Sequence, residues 1–416
     1  QMMPRLVLRG GYGISSYLEG TGANLRLTQN PPFHKDFEEI GTSPSGGTTD
    51  DPTYSPGFFY QAANGFPTTN APVTTFYAWP KDLKPSVTQE FSLTTEYQVA
   101  RNSTFQVGYV GIIGRHLTDP FWGNQSTAPG LPGPYDNVVG PKGVLKITQT
   151  ESNSSYNALQ AVFRQRLTAG FELTANYTYS KSLTDDIGFY GVSNIGSGQY
   201  YQQNAYDMKS EWGPAGSDTR HNVSVTGVYD LPFGRGRQFG ANMNRWVDEL
   251  VGGWKLGGAD VYYSGFPVTV SSNAYYSSQV NAFGGAARPN LLRKFVQPNK
   301  SIDAFWGTAV QSDFCAHDQP DDGTCIFQEQ PDTSFGKLRP GYLRGPSFQN
   351  IDMSVSKTFS VWHEQHLDFR ANFFNAFNIA DYAAPSANVS DGTNFGKISD
   401  TINNSRSTQF VLKYVF

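Results

Sequence analysis

Apolar and polar residues alternate with a period of two along several segments, the spacing of an extended strand whose two faces meet different surroundings. The clearest run is Phe171 to Ser180, where Phe171, Leu173, Ala175, Tyr177 and Tyr179 share one face and Glu172, Thr174, Asn176, Thr178 and Ser180 the other. Val87, Phe91, Leu93, Tyr97 and Val99 alternate in the same way with Thr88, Glu90, Ser92, Thr94, Glu96 and Gln98. Leu367, Phe369, Ala371 and Phe373 face away from His366, Asp368, Arg370 and Asn372, and Ile351, Met353 and Val355 from Asp352, Ser354, Ser356 and Thr358. With weaker segments near 6–17, 103–116, 156–167, 220–232 and 254–270, the pattern predicts about ten strands.

The last segment is the most informative. Phe410, Leu412, Tyr414 and Phe416 share one face of a strand, with Gln409, Val411 and Lys413 on the other. Such a strand at a soluble sheet edge invites aggregation unless something covers it, and lipid is one such cover. It resembles the closing strand of a bacterial outer-membrane barrel, and its aromatic end reads as a barrel-assembly signal.

The connections sharpen this reading. Ala100 to Asn102, Thr168 to Gly170 and Ser360 to Gln365 are short, and Phe233 to Gly253 is intermediate. Between them lie long stretches rich in Gly, Pro, Asn and Ser near 18–85, 117–155, 183–219, 271–347 and 379–406. Alternation of short periplasmic turns with long extracellular loops is the topology of an outer-membrane barrel. Counting back from Phe416 at the periplasmic rim puts every long segment outside the cell.

Composition agrees. Charged residues make up 16% of the 416, against about 25% in an average soluble domain. No apolar run approaches the roughly 18 residues of a spanning helix, so membrane residence requires strands. The mean hydropathy of -0.44 fits alternating rather than continuous hydrophobicity. A net charge of -4 gives no electrostatic footprint for nucleic acid. The first residues show no charged n-region, apolar core and cleavage site, and the chain is expected to start inside a strand, as a mature product or a piece of something longer.

Nine motifs occur in order: Ser155-Tyr-Asn-Ala-Leu-Gln160, Tyr177-Thr-Tyr-Ser-Lys-Ser182, Asp218-Thr-Arg-His221, Tyr229-Asp-Leu-Pro-Phe-Gly-Arg-Gly-Arg237, Gly253-Trp254, Ser264-Gly-Phe-Pro267, Arg288-Pro-Asn290, Leu343-Arg-Gly-Pro346 and Phe369-Arg-Ala-Asn-Phe-Phe-Asn-Ala-Phe-Asn378. Together they resemble the C-terminal barrel portion of Oar-like TonB-dependent outer-membrane receptors, abundant in Acidobacteria. The resemblance implies an all-β, antiparallel transmembrane barrel of about 22 strands, closed by an N-terminal plug and often preceded by a carboxypeptidase-regulatory-like sandwich domain. Plug, TonB box and sandwich domain have no counterpart here. Residues 1–416 are therefore expected to be one barrel domain or barrel fragment with two open edges. Implied partners are outer-membrane lipid, the TonB complex through the missing plug, the barrel-assembly machinery and a small ligand, which is a siderophore, a glycan or a peptide. No cofactor is implied.

Candidate chemistry is sparse. Cys315 and Cys325 flank turn-forming residues in a long loop, which reads as a local disulfide. A metal site at Cys315, His317 and Cys325 with Asp318, Asp321 or Asp322 lacks the second pair of a zinc site, and the aspartates lack calcium-loop spacing. Asp218 and His221 invite comparison with outer-membrane proteases that activate water between Asp and His, whereas the structural alternative has Asp218 and Arg220 anchoring a loop. Phe233 to Arg237 reads as a basic periplasmic turn, not a phosphate loop. Glu90, Glu96, Asp368 and Arg370 are expected to face the lumen, where they line a translocation path or, on the plainer reading, form wall ion pairs and contact a plug. Loop aromatics, among them Phe58, Tyr60, Tyr77, Trp79, Tyr190 and Tyr275, offer stacking faces for ligands, although loops of this length must also bury something of their own. Three function classes remain: a receptor barrel for uptake or surface binding, a self-associating surface β-protein, and a surface hydrolase.

Overall fold

The computed structural model describes residues 4–17, 27, 30, 75–127, 131–139, 143–186, 193–194, 198–199, 202–272, 287–294, 301–306, 314–316, 319–321, 323–330, 334–362 and 364–416. Ten long strands form one antiparallel sheet in strict sequence order: β1 (Leu6–Tyr17), β2 (Ser86–Ala100), β3 (Ser103–Trp122), β4 (Val144–Thr168), β5 (Phe171–Thr184), β6 (His221–Asp230), β7 (Lys255–Tyr263), β8 (Phe348–Trp362), β9 (Gln365–Phe374) and β10 (Ser407–Val415). Each pairs with its chain neighbour, and the sheet ends on β1 and β10. Among the described residues β1 and β10 do not pair with each other, so the wall is not closed.

The register carries the alternation from strand to strand. Leu6, Tyr97, Phe105, Phe163, Ala175 and Val225 are successive partners across six strands, so their side chains form one apolar row. On the other face Thr94, Gly108, Gln160, Thr178 and Asn222 form a polar row. The apolar row lies three residues from the end of β2 at Tyr97 and five residues from the end of β6 at Val225, so it climbs away from the short-turn rim as it crosses the sheet, in keeping with tilted barrel strands. Lumen-facing Glu96 pairs with Arg9 at 2.6 Å, and Asp368 accepts a hydrogen bond from Thr358 at 2.7 Å.

Hairpins at 101–102 and 169–170 and the close succession of Trp362 and Gln365 mark one rim. Ala169 and Gly170 both have positive φ, 51° and 80°, as a two-residue turn matching strand twist requires. The other rim carries the long connections. β3 and β4 extend beyond the sequence boundaries at 116 and 156, so the segment expected at 117–155 shrinks to 123–143. About 9–11 residues of a tilted strand suffice to cross a bilayer, while β3 has 20 residues and β4 has 25. Their ends project past a register shift between Gly114 and Leu117, where buried polar residues such as Asp119 and Ser152 replace the alternation. With no lipid imposing a period there, the pattern that defines strands in the sequence disappears.

Candidate functional site in the long-loop layer

The main apolar cluster lies in the loops rather than in the wall. Where β7 ends, Ser264-Gly-Phe-Pro267 turns the chain into a short strand, Pro267–Val268, paired with Leu343–Arg344. Val268, Val270, Trp306, Phe327, Leu343, Val389, Phe395 and Ile398 pack together behind it, drawing on the β7–β8 and β9–β10 connections. Trp306 Nε1 donates to Arg344 O at 2.7 Å, so the largest ring in this core also has its polar atom satisfied.

Polar clamps tie the layer together. Arg288, from the β7–β8 connection, makes a two-point ion pair with Glu211, from the β5–β6 connection, at 2.8 and 2.9 Å. Gln203 N donates to Glu211 Oε1 at 3.0 Å, Gln203 Nε2 to Gly336 O at 2.8 Å, and Gln125 Nε2, from the β3–β4 connection, to Gln203 O at 2.8 Å. Tyr206 donates its phenol to Gln125 O at 2.6 Å, and burial pushes its pKa upward. The β9–β10 connection is joined through Asp381, which accepts from Gln349 N and Asn403 Nδ2, each at 2.8 Å. Burial raises the Asp381 pKa, and it does the same at Asp185, just beyond β5.

Beneath this layer, Tyr263, Phe266, Val268, Pro346, Phe348, Tyr382 and Ile402 line an apolar cavity of about 140 Å³. Tyr263 stacks on Phe348 with centroids 4.7 Å apart and lies 5.3 Å from Phe266. Small-molecule pockets usually measure about 300–1,000 Å³, so this one admits a single ring or a short aliphatic group. Tyr263 and Phe348 are register partners on the lumen-facing side. Two walls of the cavity thus stand on the same face as a polar concave surface, where one hollow of about 420 Å³ is lined by Glu172, Thr174, Asp352, Ser354 and Asn372. A second, of about 590 Å³, is lined by Lys255, Asp368, Arg370 and Lys413.

The residues singled out from sequence fall as follows. Cys315 and Cys325 are joined, with Cα atoms 5.8 Å apart. Arg293 brackets that loop, donating to Cys325 O and pairing with Asp321, whose pKa its guanidinium lowers. His317, Asp318 and Asp322 lie outside the described residues, and among the described residues no cluster of His, Cys, Asp or Glu is placed to hold a metal ion. Phe410, Leu412 and Tyr414 line the outward face, opposite Ala371, Phe369 and Leu367. Phe416 follows at 94% exposure. Tyr77 sits in a short strand, Thr75–Ala78, parallel to β4, with its backbone held by Asn30 and Lys146 Nζ 5.5 Å from its ring, and Trp79 is half-buried beside it. Phe58, Tyr60, Tyr190 and Tyr275 lie outside the described residues.

Asp218 and His221 are turned to different tasks. Buried Asp218 accepts from Ser182 N at 2.6 Å and from the Arg344 guanidinium, with Arg220 3.8 Å away. His221 lies on the outward face, hydrogen-bonded to Tyr177 at 2.9 Å and packed on Tyr179. This is the anchoring arrangement. Sequence reasoning missed Glu211 and Tyr382 as partners. Arg288, Phe266 and Arg344 lie inside quoted motifs, which was the available signal.

An outward apolar face, a polar concave face and loops gathered over one rim define the wall of a membrane-spanning β-barrel. The chain belongs to the outer membrane beta barrel domain family, whose model matches residues 1–409, and its place is the bacterial outer membrane. Similar solved structures include the ferric-catecholate import receptor Fiu from K12 E. coli in its closed form, at 11% identity and a TM-score of 0.39 over 99% of this chain and 33% of that one. Others are P. aeruginosa FpvA bound to a heterologous pyoverdine, at 8% and 0.42 over 99% and 31%, and the siderophore receptor PiuA from Acinetobacter baumannii, at 9% and 0.39 over 99% and 34%. The chain spans about a third of the length of these proteins. No curated protein matches it.

Proposed function

We propose that the chain is barrel wall from a TonB-dependent receptor of the Oar-like kind, with its long-loop layer outside the cell and its short turns in the periplasm. The observation that carries this reading is the aromatic cavity at the long-loop rim, two of whose walls, Tyr263 and Phe348, share the face of the polar concave wall. The cavity would hold a ring or short chain of an incoming solute, and the carboxylates and cations below it would line the path inward or contact a plug. Short turns at one rim and loops with their own core at the other match the orientation of outer-membrane barrels. The ordered motifs support the receptor type. On this reading the free edges β1 and β10 are completed by further strands, energy comes from the TonB complex through a plug, and the barrel-assembly machinery inserts the wall. The role is binding and uptake, not catalysis.

The test uses the full chain purified from outer membranes. A panel of ferric siderophores, oligosaccharides and short peptides is screened, and any binder is retested on Phe348→Ala and Tyr382→Ala. Loss of about tenfold in affinity, equivalent to about 1.4 kcal/mol, supports the cavity as the entry site. Binders indifferent to both changes would remove it from that role.

The unpaired edges favour a second reading, a surface protein that associates through β1 and β10. Water-soluble assemblies with a strand repeat of about 4.7 Å would establish that reading over the first.

A further inference from the structure

The connection between β6 and β7 is much longer than the two-residue turns on its rim, and it carries a helix, α1 (Arg245–Val251). Asn244 caps it, its side chain accepting from Trp246 N at 2.9 Å. The helix is fastened to the outside of the wall. Lys357 is the register partner of Phe369 on the apolar face, and its ammonium donates to Asp248 O at 3.4 Å and to Glu249 O, at the helix's C-terminal end. A cation suits the helix's last turn, where Glu249 O accepts it and Asp248 O shares it with the capping Gly252 N–H at 2.8 Å. Glu249 Oε1 accepts from Ser360 N at 3.2 Å, where β8 bulges, and Asp248 Oδ1 accepts from Arg235 N at 2.7 Å. Trp254 closes the joint, packed edge-on against outward Phe359 and Phe369 and donating to Leu250 O at 2.9 Å.

Both acidic side chains of α1 are thus spent on the protein, and its other face is apolar and bare. Trp246 and Leu250, one turn apart, are 79% and 70% exposed, and Val247 and Val251 beside them are also exposed. Phe233 and Phe239, in tilted contact with ring centroids 5.5 Å apart in the preceding turn, are exposed too. Arg235 and Arg237, between Phe233 and Phe239 in the turn, and Arg245, next to Trp246 at the start of α1, are exposed as well.

We infer that α1 and its turn dock on the phospholipid leaflet at the short-turn rim, with Trp246, Val247, Leu250 and Val251 at the headgroup–acyl boundary and the three arginines on lipid phosphates. The patch continues the wall's lipid-facing surface through Phe359, Phe369 and Trp254, at the level where interfacial tryptophans sit in membrane proteins. Its charge complements an anionic leaflet, in the manner of an interfacial helix with basic flanks. The inference rests on the lipid-facing reading of the outward wall, and the label at 159 separates failure of the one from failure of the other.

The full chain is inserted into bilayers of phosphatidylethanolamine with or without phosphatidylglycerol. Single spin labels are introduced through Trp246→Cys, Leu250→Cys, Asn242→Cys and, on the outward wall, Leu159→Cys. Labels at 246, 250 and 159 should collide preferentially with oxygen, and the label at 242 with a water-soluble nickel chelate. Phosphatidylglycerol should strengthen the oxygen preference at 250, by up to about fivefold per arginine, and Arg235→Gln, Arg237→Gln and Arg245→Gln together should abolish that gain. Nickel-dominated collisions at 246 and 250 with lipid contact intact at 159 would overturn the inference alone. Nickel-dominated collisions at 159 would overturn the barrel reading and the inference with it.

Discussion

Arg288 and Glu211, 77 residues apart, share a two-point ion pair in which their side chains are 1% and 0% exposed. Removing one partner of a buried pair leaves the other charge without compensation and costs about 3–5 kcal/mol, whereas replacing both with apolar residues is often close to neutral. Glu211→Ala is therefore expected to loosen the loop layer, and Glu211→Leu with Arg288→Met to recover most of the loss. Hydrogen exchange at the Ala205 amide, which donates to Gln125 Oε1, reads the clamp. Unchanged exchange in Glu211→Ala would show that the clamp does not hold the loops.

Reduction of Cys315–Cys325 should be felt locally. Closing a loop of 10 residues restricts the unfolded segment by about 2–3 kcal/mol. Cys315→Ser with Cys325→Ser is expected to raise protease sensitivity between Phe314 and Gln328 while leaving the wall's heat-modifiable gel mobility unchanged. A collapse of that mobility would place the bridge in the barrel's own stability.

Burial raises the Asp381 pKa above its ordinary value, so the folded loop binds this proton more tightly than the unfolded chain does. The resulting stability is fully present below the unfolded pKa and is lost as pH rises through the raised folded pKa. Exchange of the Gln349 amide, corrected for its intrinsic rate, should slow on acidification from neutrality toward that range. Exchange that quickens over the same interval would reverse the assignment.

Gly111 faces Phe91 across β2 and β3, and a Cβ there would lie 2.3 Å from the ring. Phe91 fills the space above the glycine and approaches Tyr109 at 6.0 Å. Gly111→Ala must displace the ring and is expected to cost about 1–3 kcal/mol in detergent-refolded protein. Phe91→Leu in the same background should return part of the loss.

Deleting Phe416 is expected to abolish assembly into the outer membrane. The residue has almost no packing to lose, so its removal should leave the detergent-refolded wall unaffected. Pulse-labelled membrane fractions provide the measurement, and normal insertion of the shortened chain would end its role as an assembly signal.

Most of the wall was legible because lipid on one side and water on the other impose a two-residue period. β1 stands at 6–17 in both readings, and the β2–β3 and β4–β5 turns fall where the pattern breaks. Legibility failed where that constraint ends. The upper parts of β3 and β4 stand beyond the bilayer span, and their buried polar residues read as loop. Lys357 falls at an apolar position of β8, and only its contacts with α1 explain a cation there. The site was less legible still. Arg288, Phe266 and Arg344 stood out as members of motifs, but nothing local gave Arg288 its partner Glu211 or placed Tyr382 beside Phe348.

The sequence by itself determined the all-β class, the strand order and the alternation of short and long connections, because each depends on period and turn chemistry between neighbours in the chain. Only the tertiary structure decided which loops clamp one another, where the aromatic cavity lies and that α1 rests on the outside of the wall. Those features depend on contacts between residues up to 133 positions apart, as at Gln203 and Gly336, and no local pattern encodes such a meeting.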